Sequence, residues 1–202
     1  MLASVKSGTT LMSRLPSTIK PFEQGSFDNL CGLYSIVNGI RLALEPGGGL
    51  SKAQSRMLFK QGMQFLEDSD CGDIVRVGLD AKSWHRVARH MFDCLDEKGI
   101  ADFKCGKSAF RRLPDDRDDA IEMIERSVNR GVPVAVELQK AWNHYTVVAS
   151  VEADDWVLFD SHGYKRVKKE SLGIAASGAR HVLGSRAIFF VPRFGGVVRA
   201  KS

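Results

Sequence analysis

Cysteine is scarce in this chain: four among 202 residues, at positions 31, 71, 94 and 105. That is far too few for a disulfide-stapled fold. The cysteines are also scattered, with successive gaps of 40, 23 and 11 positions, so the close C-x2-C doublets of a structural zinc site are missing. No metal and no cofactor is expected. The thiols read as reduced, although an even set of four permits two bridges. No apolar run approaches the roughly 18 residues of a membrane-spanning helix. The opening stretch MLASVKSGTTLMSRLP carries Lys6 and Arg14 but no apolar core of roughly 7–15 residues, so no signal peptide is expected. A cytoplasmic location follows as the expectation, with export as an effector also compatible. Internal repeats and a Pro-, Gly- or Ser-rich linker are lacking too.

What is present is ordinary globular texture. Hydrophobic residues make up 44% and charged residues 26%, which excludes a disordered chain, a collagen-like repeat and a coiled coil. The length suits one domain. The net charge of +5 is mild. It gathers at Lys165, Arg166, Lys168 and Lys169 and in a tail with Arg193, Arg199 and Lys201. A nucleic-acid surface would interleave several aromatics, and Tyr164 alone does not meet that, so no nucleic-acid partner is expected. Solvated charge, or an acidic protein substrate, accounts for the cluster.

The chain divides by texture. Residues 1–21 read as an extended lead-in, 22–194 as one domain and 195–202 as a basic tail. CGLYSIVNGIRLAL (31–44) places apolar side chains at 33, 36, 37, 40 and 44, a helical stripe stopped by Glu45-Pro46-Gly47. Ser51 can cap a second helix to about Leu66. Ser83 to Leu95 and Arg117 to Arg130 read as further helices, the last ended by Gly131. Residues 68–78 hold turn residues, and 99–116 are ambiguous. VPVAVEL (132–138), HYTVVASVE (144–152) and WVLFDS (156–161) read as strands, with a turn at Asp154-Asp155. Short strands follow at 164–169 and 186–194. Helices first and antiparallel strands last is an α+β arrangement.

Cys31 stands where the first helix begins. The unpaired N–H groups and dipole of a helix N-terminus stabilise a thiolate and can bind the oxyanion that forms when it attacks a carbonyl. Gly32 beside it leaves room for a substrate backbone. Gln24 offers a side-chain amide as a second oxyanion donor. A nucleophile needs a base, and the base needs an orienting group. His144 opens one strand and Asp160 closes its neighbour, a hairpin length that sets the two side by side. The same four residues also fit plain structural roles: a buried core thiol, an edge histidine, a turn-forming acid and a loop glutamine. Cys71 sits among acids, which disfavours a nucleophile. His85 and His90 read as surface residues, His162 as a second candidate base, His181 as a loop residue and Asn143 as a turn residue.

The segment QGSFDNLCGLYSIVNGIRLAL, followed far downstream by HYTVV and LFDS, resembles the papain-like cysteine peptidase superfamily. In that superfamily a Gln precedes a Cys at a helix N-terminus, and His then Asp or Asn follow on a β half. The likeness covers about twenty residues around Cys31 and about twenty from His144. It departs from the usual pattern in having Leu33 after Gly32, and the stretch before Cys31 is short for a long inhibitory pro-segment. The nearer likeness is to compact bacterial members, of bacteriocin-leader-peptidase and effector type. The resemblance implies a papain-like fold and a thiol-dependent hydrolase of peptide or isopeptide bonds. Cys31, His144 and Asp160 would be its triad, Gln24 its oxyanion donor, and a protein or peptide its substrate. A glutamine deamidase or transglutaminase-like acyltransferase would use the same residues. A non-catalytic pseudoenzyme or binding module is the alternative of a different class. Asp28 also gives a D-x-x-C pattern similar to ovarian-tumour-type deubiquitinases, through two fixed positions only.

Overall fold

The computed structural model describes residues 19–25, 28–69, 74–105, 107–175 and 178–193. Cys71, most of the expected lead-in and the expected tail lie outside them. Helix α1 runs Cys31–Leu44, and its apolar stripe is fully buried at Leu33, Ile36, Val37 and Ile40. Pro46 and the left-handed Gly48 end it. Helix α2, Lys52–Asp68, opens on a reciprocal cap: Ser51 Oγ accepts from Gln54 N and Gln54 Oε1 accepts from Ser51 N. A four-residue helix α3, Ile74–Val77, follows. Helix α4, Ala81–Glu97, starts two residues before the expected boundary, because Asp80 accepts from Ser83 N at 2.7 Å. Helix α5, Arg117–Val128, is capped by Asp116 and stopped before Gly131, whose φ is +77°.

The strands are β1 (Phe110–Arg112), β2 (Val134–Lys140), β3 (His144–Glu152), β4 (Asp155–Leu158), β5 (Arg166–Lys168), β6 (Leu172–Gly173) and β7 (His181–Phe189). They form one sheet in the order β1-β7-β2-β3-β4-β5, antiparallel throughout, with β6 beside β7 in parallel. The fold is α+β. Alternation along the strands separates two cores. Tyr145, Val147, Ala149 and Ile188 face α1, α2 and α4, while Val136, Val148, Trp156 and Ala187 face the side that carries α5. The sheet is therefore covered on both faces. Three expectations shift. The last strand begins at His181 rather than 186, the ambiguous stretch supplies β1, and β6 is an addition.

The contact between α1 and the sheet passes through Gly39. A Cβ there would stand 2.1–2.7 Å from the ring of Phe190, which is fully buried. Gly39→Ala must push that ring or the helix aside. The expected cost is about 1–3 kcal/mol, seen as a fall of roughly 3–10 °C in thermal midpoint. Circular dichroism melting checks this, and an unchanged midpoint would mean that α1 is free to shift.

Candidate active site

The chain enters the site along α1. Phe22 N donates to Asn38 Oδ1 at 2.8 Å, and Asn38 Nδ2 donates back to Phe22 O at 3.1 Å. Arg41 Nη1 holds Lys20 O at 2.8 Å. Residues 20–22 are thus pinned lengthwise to the face of α1 that carries Asn38 and Arg41. Gln24 N then donates to Ser161 O at 2.9 Å, which ties the strap to the segment after β4. Asp28 folds the last turn before the helix, accepting from Gly25 N at 3.2 Å and Leu30 N at 3.1 Å. This is the place of the D-x-x-C aspartate: it closes the loop in front of Cys31. No side chain caps α1 at Leu30, and its first turn carries no acid. The N-terminal N–H groups are left without a capping side chain, as an oxyanion site requires.

His144 and Asp160 meet through strand register. A bulge between Val148 and Ser150 shifts the β3–β4 pairing, and Phe159 N then donates to Val147 O at 2.9 Å. That sets Asp160 opposite Thr146 and diagonal to His144, on one face of the pair. His144 Nε2 lies 2.6 Å from Asp160 Oδ2, and both side chains are almost entirely buried. The other carboxylate oxygen, Oδ1, accepts from His162 N at 2.8 Å and Tyr164 N at 3.1 Å. The Cys31 sulfur, half-buried at the start of α1, is close enough to the same imidazole to act on its charge. With Nε2 taken by Asp160, the ring nitrogen left for Cys31 is Nδ1. Cys31 from the start of α1 and Asp160 from the segment after β4, 113 and 16 positions away in sequence, thus approach the ring of His144.

The electrostatics follow from that contact. Burial pulls the His144 pKa down, but hydrogen bonds to Asp160 and Cys31 and their negative charges outweigh it, raising the pKa to about 9. Burial likewise pushes Asp160 up, and the His144 hydrogen bond and charge, with the His162 N–H, bring it below its usual value. At neutral pH the pair is an imidazolium held by a carboxylate. Burial pushes Cys94 up, and burial together with Asp93 pushes Cys105 up.

Gln24 reaches the site by a different route from the one expected. Its Nε2 donates to Asp28 O, and its Oε1 is buried with no partner. An amide nitrogen carries two hydrogens. One is spent on Asp28, and the second is left over, as the expected oxyanion donor needs. Gln24→Ala is expected to lower kcat/KM by about 10²-fold or more. It should leave alkylation of Cys31 nearly unchanged, because alkylation forms no oxyanion. Comparing the two rates checks this. A parallel fall in both would make Gln24 a structural residue only.

Several sequence readings change. Gly32 leaves no room for a substrate backbone. It is buried, and a Cβ there would meet Leu79 at 3.0 Å and Trp84 at 3.3 Å. Its carbonyl accepts from Trp84 Nε1 at 3.1 Å, so close packing is what the glycine serves. His85 is not a surface residue but 8% exposed, and burial with Arg186 and Arg89 lowers its pKa to about 4. His181 is not in a loop: it opens β7, buried against Trp142. Asn143 holds the turn, with φ +46° and its Oδ1 on Lys140 N at 2.9 Å. His90 stacks on Phe65 and comes 3.5 Å from Cys94 Sγ, with no carboxylate on it. His162 is exposed and sets its ring edgewise to His144, 5.4 Å between centroids.

An aromatic wall that no local sequence pattern announces stands behind His144. Tyr164 meets the imidazole edge at 5.5 Å, Trp142 stacks flat on Tyr164 at 4.1 Å, and His181 tilts against Trp142 at 4.4 Å. Such a wall keeps water from the His144–Asp160 contact, where low dielectric strengthens the pair. Trp142 lies two residues before His144 and is the nearest hint of it in sequence. Between α1 and α2, a cavity of about 500 Å³ is lined by Phe22, Tyr34, Val37 and Phe59, with Lys52 and Arg56 also at its wall, and Cys31 and His144 are not part of that lining. Tyr34 is one helical turn beyond Cys31. Compared with known proteins, the chain matches no family model, no curated protein and no solved structure.

Proposed function

We propose that the protein is a thiol-dependent hydrolase of peptide or isopeptide bonds, with a papain-like arrangement of its site. The observation that carries this is the single imidazole shared by Cys31 and by Asp160, the latter at 2.6 Å. The Cys31 thiolate adds to the substrate carbonyl, and the oxygen takes the negative charge. The α1 N–H groups and the second Gln24 hydrogen stabilise that charge. Protonated His144 gives its proton to the leaving amine as the C–N bond breaks, leaving a thioester on Cys31. A water then loses its proton to His144 and attacks the thioester. The acid leaves, and the proton returns to the Cys31–His144 pair. Asp160 keeps the ring oriented and stabilises its charged form. The cavity floored by Val37 and Phe59 suits an apolar substrate side chain.

Iodoacetamide near pH 6–7 tests the reading. Cys31 is expected to alkylate ahead of Cys71, Cys94 and Cys105, as peptide mapping would show. Uniform labelling sinks the catalytic claim and leaves a binding module. Intact-mass analysis of a treated peptide then identifies the chemistry: two fragments mean hydrolysis of the backbone. A single product heavier by about one mass unit means deamidation by the same triad.

A further inference from the structure

The cationic residues that stand out in the sequence are largely spent. Arg166 pairs with Glu152, Lys168 approaches Asp155 and Lys169 holds Glu125 at 3.1 Å. A second group, dispersed in sequence, is not. Helix α4 projects Lys82, Arg86 and Arg89 from one side, β7 brings Arg186, and Lys107 stands just before β1. With Phe110 and His85 they line one cavity of about 380 Å³. Among the described residues none of these five cations makes an ion pair with a carboxylate.

That arrangement works against the fold. Lys82 and Arg86 are four apart on α4, and Arg86 and Arg89 three apart, both like-charge neighbours on a helix face. Arg186 stands directly opposite Arg112 across β1 and β7, which is unfavourable for like charges. Arg112 is relieved by Asp115 at 3.1 Å, whereas Arg186 has no such relief. Arg89 is steered by its seat 4.9 Å over the Phe110 ring. His85, more than nine-tenths buried in the cavity wall, leaves Nε2 without a partner. Repulsion accumulated around one concavity, with a buried imidazole at its wall, is what a missing polyanion would resolve.

The geometry points to this cavity as a binding site for a small ligand that carries a chain of phosphates. Guanidinium forks and ammonium groups converging from a helix and a strand match phosphate oxygens. The volume lies within the usual range for small-ligand sites. A nucleic acid would need a track rather than a single concavity, with several aromatic platforms along it. The site lies on α4 and β7 and does not depend on the chemistry proposed for Cys31.

Isothermal titration of the full chain with tripolyphosphate, at about 150 mM salt, tests it. One ion is expected to bind per chain. The double variant Arg89→Gln, Arg186→Gln should weaken binding at least tenfold, since each charged hydrogen bond is worth about that factor. Lys165→Gln, Lys168→Gln should leave it unchanged. All four side chains are exposed, and circular dichroism confirms that the variants fold. Titration with ATP in parallel shows whether an organic group adds affinity to the phosphates. In proton NMR, the His85 ring should titrate well above its apo value of about 4 when tripolyphosphate is bound. Three results overturn the proposal: no saturable binding of either probe at millimolar concentration, equal loss in both double variants, or displacement of tripolyphosphate by an RNA oligomer that binds several chains at once.

Discussion

His144→Ala is expected to abolish both the preferential alkylation of Cys31 and turnover. His144 is the one titratable group in the site that contacts both the sulfur and the carboxylate. Without it, Cys31 loses its proton acceptor and the positive charge beside it, and the leaving amine loses its proton donor. Losing one member of a unit of this kind costs about 10⁴-fold or more in turnover. Alkylation near pH 7 should slow at least tenfold, to the pace of an unassisted thiol. The fold should survive, because His144 belongs to neither apolar cluster that packs the sheet. Circular dichroism and peptide mapping after iodoacetamide check both halves. If His144→Ala still labels Cys31 first, the imidazole is not what activates the thiol.

The parts of this site written in local pattern could be read from the sequence. The apolar stripe at 33, 36, 37 and 40 defines α1 because each position is buried in the core shared by the helices and the sheet. That in turn fixes Cys31 at the helix start. His144 and Asp160 could be paired because a hairpin relates two positions by register alone. What could not be read depends on contacts distant in sequence. Gly32 looks like space for a substrate until Leu79 and Trp84 are seen against it. His85 sits beside the core stripe of α4 rather than on it. It is buried because β1 brings Phe110 to 5.3 Å, and the three residues of β1 carry no period. The same strand and β7 assemble the cationic cavity from residues at 82–89, 107 and 186, which no window of sequence contains. Of the charge that the sequence does cluster, Arg166, Lys168 and Lys169 lie on β5 and just after it and find acidic partners.

Asp160→Asn should damage the site with almost no change of shape, and it should do so through the tautomer of His144. Oδ1 of Asp160 already accepts from two backbone N–H groups, those of His162 and Tyr164. In the asparagine variant the amide oxygen must keep that position, so the amide NH2 is turned toward His144 Nε2. A donor facing Nε2 forces the ring to present a lone pair there and to carry its proton on Nδ1. Nδ1 is the nitrogen available to Cys31, and once protonated in a neutral ring it cannot take the thiol proton. A loss of turnover of about 10⁴-fold follows. The pH profile should move as well. In the wild type His144 stays protonated until about pH 9, and the variant removes the Asp160 hydrogen bond and charge that hold it there. The alkaline limb of activity should therefore fall from near 9 toward the ordinary value of 6.5. Stability follows the same linkage. A raised histidine stabilises the fold fully below 6.5 and loses that contribution as pH rises through about 9. A lowered carboxylate stabilises above 3.8 and loses its contribution as pH falls through its depressed value. The pair thus contributes most between about pH 4 and 6.5, and thermal midpoints of wild type and Asp160→Asn should differ most there and converge above pH 9. Melting curves across pH 4 to 10 measure that difference. A gap that stays constant through pH 9 would mean that Asp160 supports the loop at 162–164 and not the charge on His144.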